Sequence, residues 1–246
     1  MTSNGQAHHS PGQAHHSPGQ GGPPLGVLAA ASAALFIGGL LIAAGVAHRF
    51  TPGPGASASS IAAYATRHTA SNRISAVFTF GSAVPLAIYA ATANARLHAL
   101  GVRAPGATIA LAGGLLASGF LALSGLCSWV LAQPGIAADG AVTRAISDLG
   151  FATGGPAHVV LLGLLVAGIA VPATILRLLP RPLAVAGLVL AAVCELSSLT
   201  LATSALYPLL PIGRFAALAW LIAAGFALPR RRGSIPRRAA DQAVAV

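Results

Sequence analysis

The chain has 246 residues, 55% of them hydrophobic and only 7% charged, with a mean hydropathy of +0.78. A soluble domain carries about 25% charged residues, so this chain lacks the charge to coat a water-facing surface, and lipid is the solvent for most of it. The net charge of +10 does not mark a nucleic-acid binder, because no basic folded domain is present to carry a groove-reading element.

Residues 1–24 contain the seven-residue repeat GQAHHSP at 5–11 and again at 12–18. With almost no apolar content the segment cannot offset its ordering entropy, and it reads as a disordered tail. His8, His9, His15 and His16 could bind a transition metal, but loose His pairs lack a fixed geometry, and a plain, flexible repeat expansion is the favoured reading. The segment has no basic n-region and is not read as a secretory signal.

Six apolar runs follow, at roughly 25–47, 74–95, 106–131, 157–178, 183–205 and 213–228. A spanning helix needs about twenty apolar residues, which the first five satisfy. The sixth is short, bounded by Arg214 and by Arg230, Arg231 and Arg232; the preceding LYPLLPIG reads as an interfacial stretch with Tyr207 as anchor. The expected fold class is therefore all-α: a polytopic transmembrane bundle of about six spans over 25–228. A basic tail, 229–246, completes the chain. Two connections read as short amphipathic helices lying along the interface. In 57–70, Ile61, Ala62, Ala65 and Ala70 alternate with Arg67 and His68; in 139–151, Val142, Ala145, Ile146 and Leu149 recur at helical spacing with Arg144 and Asp148 opposite.

Arginine placement sets the expected topology. All fourteen cations are Arg. One side holds Arg96, Arg103, Arg177, Arg181, Arg230, Arg231, Arg232, Arg237 and Arg238, against Arg49, Arg67, Arg73, Arg144 and Arg214 on the other. The positive-inside rule puts the richer side, and with it both termini, in the cytoplasm, across a bacterial plasma (inner) membrane. The span 1 flanks alone would prefer the reverse, since Arg49 follows that span and the N-tail has no Arg. The tail RRRGSIPRR suits anionic lipid as well as fixing topology. A weak internal repeat is visible in AVP at 83–85 and at 170–172, each after an amphipathic segment and before a basic, Pro-bearing turn.

Candidate chemistry is sparse. Glu195 is the one acid deep inside an apolar run, and at mid-bilayer it would cost about 3 kcal/mol to insert, so it is expected to face protein or water. Ala191, Ser198 and Ala202 share its stripe. On the second span Ser75, Thr79, Ser82 and Tyr89 lie on one side, and Pro85 frees the carbonyl of Gly81. The expected intramembrane polar site is thus Glu195 and Ser198 facing Ser75, Thr79, Ser82 and Tyr89. It serves either as a proton, cation or substrate site or as hydrogen-bonded packing glue. Gly106, Ala110, Gly114, Ser118 and Ala122 form an i+4 close-packing stripe. Cys127 and Cys194 lie at different depths and read as buried free thiols. His48, His68 and His158 fall on the outer side, where single His residues at helix ends read as interfacial rather than metal-binding.

No metal, haem, phosphate-loop, dinucleotide or hydrolase motif occurs. No catalytic residue or cofactor is assigned, and with four acids in the chain paired-carboxylate catalysis is disfavoured. The stretches FTFGSAVPLAIYAATANARL, GVRAPGATIALAGGLLA, SDLGFATGGPAHVV and LLPIGRFAALAWLIAAGFAL resemble a bacterial six-helix integral membrane family defined by a domain of unknown function. The resemblance spans roughly 57–232. It implies a six-span fold and no reaction, substrate or cofactor, and no functional residue is carried over. Two readings stay open: a non-enzymatic membrane protein that binds or associates in the bilayer, and a small secondary or proton-coupled carrier using Glu195.

Overall fold

The computed structural model describes residues 23–230. The histidine repeat and Arg231, Arg232, Arg237 and Arg238 of the basic tail lie outside the described residues. The described chain is all helical: α1 (Leu25–Ala47), α2 (Ala58–Arg67), α3 (Thr69–Ala99), α4 (Gly106–Leu131), α5 (Gly140–Ala152), α6 (His158–Ile175), α7 (Arg181–Leu196) and α8 (Leu209–Ala227).

Six helices are long and apolar enough to cross a membrane. They are α1, α3, α4, the continuous helix Gly140–Ile175 made of α5, a π turn at Thr153–Ala157 and α6, then α7 with its 3-10 extension to Leu201, and α8 with the turn before it. The chain is a multi-pass membrane protein. Neighbours in sequence pack as neighbours in space, α1 on α3, α3 on α4, α4 on α6, α6 on α7 and α7 on α8, and α8 closes the ring on α1. Six alternating passes bring residues 23 and 230 to the same side.

Helix ends follow local chemistry. His48 takes the left-handed conformation after α1 (φ 53°) and its N–H caps Ala44 and Gly45. Gly101 (φ 88°) turns the chain after α3 while the Val102 N–H reaches back to the Leu97 carbonyl. Asp139 caps α5 by accepting from the Ala141 and Val142 N–H groups at 2.9 and 3.1 Å.

Without water to drive association, spans approach through small residues. The α4 stripe does this for two partners at once. Gly106 and Ala110 lie against Gly168 and Pro172 of α6, while Gly114 lies against Ala90 of α3 and Leu165 of α6. Two glycines off the stripe bring backbones equally close: a Cβ on Gly113 would sit 2.7 Å from the Leu165 nitrogen of α6, and one on Gly125 2.8 Å from the Phe80 nitrogen of α3. Cys127 and Cys194 are buried free thiols.

The amphipathic segments appear as α2 and α5, packed on each other. On α2, Ile61, Tyr64 and Ala65 are buried. The expectation for α5, a separate helix along the interface, needs correcting, because α5 runs unbroken into α6. Its Val142 and Leu149 are exposed, and the charged side is the one that meets protein. There Arg144 pairs with Asp148 at 2.8 Å and donates to the carbonyls of Ala56 and Pro54 at 2.9 and 3.1 Å, tying α5 to the α1–α2 loop. The sixth span also differs. Pro208 and Pro211 stand at the N-cap and in the first turn of α8, where a missing N–H costs nothing. LYPLLPIG therefore starts the helix instead of lying in the interface.

Candidate functional site

Glu195 is fourteen residues along α7 from Arg181, about 21 Å at 1.5 Å per residue, which places it outward of the middle of a hydrocarbon core about 30 Å thick. The buried stripe of α7 is Ala184, Gly187, Ala191 and Cys194, and Glu195 sits one residue round from it. It is exposed, on the seam between α7 and α6, where the absent side chain of Gly163 leaves room. A Cβ there would lie 3.3 Å from Glu195 Oε1. Glu195 therefore does not point into the bundle toward α3 or α4. Ser198 is exposed too. The backbone tightens to 3-10 at Ser197–Leu201, which breaks the spacing that a continuous α-helix would keep. Ser197 and Thr200 turn inward instead, and the Thr200 hydroxyl donates to the Ser197 carbonyl at 2.7 Å.

The α3 face divides by depth. Asn72, Ser75, Thr79, Leu86, Ala90 and Ala93 share one inward stripe at steps of three, four or seven residues. In the lower half the stripe is sealed, with Leu86 and Ala90 at 0% exposure. Beside them the buried Tyr89 hydroxyl donates across the ring to the Leu221 carbonyl of α8 at 3.2 Å. Ser82 is also spent locally, its hydroxyl donating to the Thr79 carbonyl at 2.7 Å. Its carbonyl accepts from Ser32 of α1 at 2.8 Å. Pro85 lacks the N–H that would reach the Gly81 carbonyl, and the carbonyl that α1 uses is the next one, of Ser82.

In the upper half the same stripe is not sealed. Ser75 and Thr79 point inward yet stay partly exposed, and among the described residues neither hydroxyl has a partner. One turn further out the Asn72 Nδ2 is buried without a hydrogen bond. Across from this row stands Arg214, on the inward face of α8 with Leu218 and Leu221. Its guanidinium lies 4.7 Å from the centre of the Phe36 ring of α1, and its Nε is buried without a partner. Phe36 lies between Ser32, which bonds to Ser82, and Gly39, which abuts Phe78, so Phe36 and Arg214 are level with Thr79. Both are only partly buried. Inward-facing side chains on three helices, Thr79, Phe36 and Arg214, thus stand part-exposed at one level in the half of the bundle nearer α2 and α5. Below that level Leu86, Tyr89 and Leu221 are fully buried.

His158 also departs from its expected interfacial place. It is 1% exposed, and its Nδ1 lies 2.9 Å from the Ala117 carbonyl of α4. His68 stacks on Tyr64 at 4.8 Å and His48 caps α1, so the three histidines serve three separate places. Among the described residues no group of three His, Cys, Asp or Glu side chains comes together.

The six residues expected to form one polar site are therefore not gathered. Glu195 and Ser198 lie on a lateral face, Ser82 and Tyr89 are bonded into the core, and Ser75 and Thr79 face inward, part-exposed, in the outer half. Sequence reasoning missed Arg214 and Asn72 because it set their helices to begin too late. The available signal was the position of Pro208 and Pro211, which allows a helix from Leu209 and so carries Arg214 into the membrane. No protein-family model, curated protein or solved structure matches the chain.

Proposed function

We propose that this protein is a non-enzymatic membrane protein that works by binding a solute or lipid inside the bilayer, on the half of the bundle nearer α2 and α5. The observation that carries this is the inward row Asn72, Ser75 and Thr79 opposite Arg214, four side chains whose polar groups have no partner within the described protein. Other polar groups of the core bond between helices, as at Tyr89, Ser32 and His158; Asn94 Oδ1, on the other half of α3, is the one further buried side-chain polar atom without a partner among the described residues. A buried donor without an acceptor costs about 1–3 kcal/mol, and a membrane offers no water to lower that cost. A ligand that accepts from this row removes the penalty. No nucleophile–base pair stands beside the row, which favours binding over catalysis. Membership of the bacterial six-helix family, a plasma-membrane location, cytoplasmic termini and anionic lipid at the basic tail belong to the same proposal, on the residue patterns given above.

The experiment is cysteine accessibility in a background with Cys127 and Cys194 replaced by Ala. Ser75→Cys and Thr79→Cys should react with a membrane-impermeant thiol reagent from the side that carries α2 and α5, and Leu86→Cys should not. If all three are equally unreactive the binding reading fails. The carrier reading takes its motive from the unpartnered carboxyl of Glu195 on the α6–α7 seam. It requires Glu195→Gln to keep the fold and abolish pH-dependent flux. The binding reading requires that variant to behave as wild type, because Glu195 faces away from the row.

A further inference from the structure

We infer that Arg214, with the Asn72–Ser75–Thr79 row, is a binding site for an oxyanion, a carboxylate or phosphate group that enters from the side carrying α2 and α5. The inference rests on the binding reading above and names its ligand class.

Charge decides the class. Arg214 stays protonated in any protein environment, and a cation within the membrane is expected to pair. Among the described residues no acid pairs with it. Of the four acids in the chain, Asp148 is bonded to Arg144, Asp139 caps α5, Glu195 is exposed beside Gly163 of α6, and Asp241 is outside the described residues. His158 is engaged with a backbone carbonyl and brings no negative charge. The row facing Arg214 offers an amide N–H and two hydroxyls, so a cation would meet repulsion and an anion would meet donors.

Geometry favours an oxyanion in particular. A guanidinium presents its N–H groups in a plane that matches the two oxygens of a carboxylate or phosphate. Here the guanidinium carbon lies over the Phe36 ring at 4.7 Å, held by cation–π attraction, which uses none of its N–H groups. The residue keeps partial exposure while its Nε is buried, so the ligand approaches the outer end of the fork. The floor at Leu86 and Tyr89 stops the site from continuing to the other side. This makes it a dead-end site, open to a free anion from water or to the headgroup of an anionic lipid.

The test uses the full-length protein in a neutral detergent, with inorganic phosphate and acetate as soluble probes and sodium chloride as the ionic-strength control. Lipid nanodiscs with and without phosphatidylglycerol form the second arm. A saturable rise in the unfolding midpoint with phosphate or acetate, beyond that with chloride, identifies a soluble oxyanion. Co-purification of phosphatidylglycerol without a soluble-anion effect identifies a lipid headgroup. In either arm Arg214→Gln should weaken binding about tenfold or more, as expected for a charged hydrogen bond. Arg214→Lys should weaken it less, and Thr79→Val should weaken it without changing the class. If Arg214→Gln does not fold, the Lys and Thr79 variants carry the comparison. The inference is overturned if wild type binds neither probe, or if Arg214→Lys and Thr79→Val both bind as wild type does. Reactive Ser75→Cys and Thr79→Cys together with no anion binding would sink the ligand class alone and leave the binding reading standing.

Discussion

The closeness of α4 and α6 can be tested by one methyl group placed at two sites. A Cβ on Gly168 would lie 2.7 Å from the Ala110 Cα and 2.7 Å from the Gly106 carbonyl oxygen, both backbone atoms of α4. Carbon contacts are comfortable only from about 3.5 Å, so α6 must withdraw by about 0.8 Å, and the Gly113–Leu165 and Gly106–Pro172 contacts open with it. Overpacking of this kind costs about 1–3 kcal/mol. A Cβ on Gly119, on the exposed side of α4, would meet nothing within 4 Å. Both substitutions gain the same helix preference of Ala over Gly, about 1 kcal/mol, and that gain cancels in the comparison. Gly168→Ala should therefore be less stable than Gly119→Ala by about 1–3 kcal/mol. The assay is reversible unfolding in mixed micelles, followed by helical circular dichroism. Stabilities within about 0.5 kcal/mol of each other, the scatter of ordinary surface substitutions, would refute the claim that backbone proximity at Gly168 holds these two spans together.

Three further outcomes are expected. Tyr89→Phe removes the bond to the Leu221 carbonyl and keeps the buried ring, so it should cost about 0.6 kcal/mol, the average for interhelical hydrogen bonds in membranes, measured in the same assay. Arg144→Ala should speed hydrogen exchange in residues 51–57, because it releases the Pro54 and Ala56 carbonyls as well as Asp148. Asp148→Asn should change little there, since a part-exposed ion pair contributes about 0.5 kcal/mol or less. Reporter fusions after residue 23 and after residue 230 should report the same side of the membrane, and that side should be the cytoplasm by arginine placement; opposite sides would contradict the six-pass ring itself.

The number of spans was legible in composition because crossing a bilayer is nearly a one-dimensional condition: about twenty apolar residues in a row. The amphipathic character of α2 and α5 was legible for the same reason, since helical period alone shows which residues share a face. The inward stripe of α3 could also be read this way, and Ser75 and Thr79 do line the interior. What a helical wheel leaves open is which neighbour a face meets and where the helix stops. Glu195 lies a single residue round from the buried Cys194, and that rotation, with the space left by Gly163, puts it on the seam. Ser198 was lost to the face when the backbone tightened after Leu196, where Ser197 and Thr200 turn inward and their hydroxyls bond to the Cys194 and Ser197 carbonyls. Arg214, read as the edge of a short span, was carried inside by a helix that begins at two prolines. Its position opposite the α3 row exists only because α8 closes the ring onto α1. Hydropathy is set residue by residue along the chain, whereas the pairing of a cation with a row of donors 135 positions earlier, from Arg214 back to Thr79 (214 − 79), is set by which helices lie side by side.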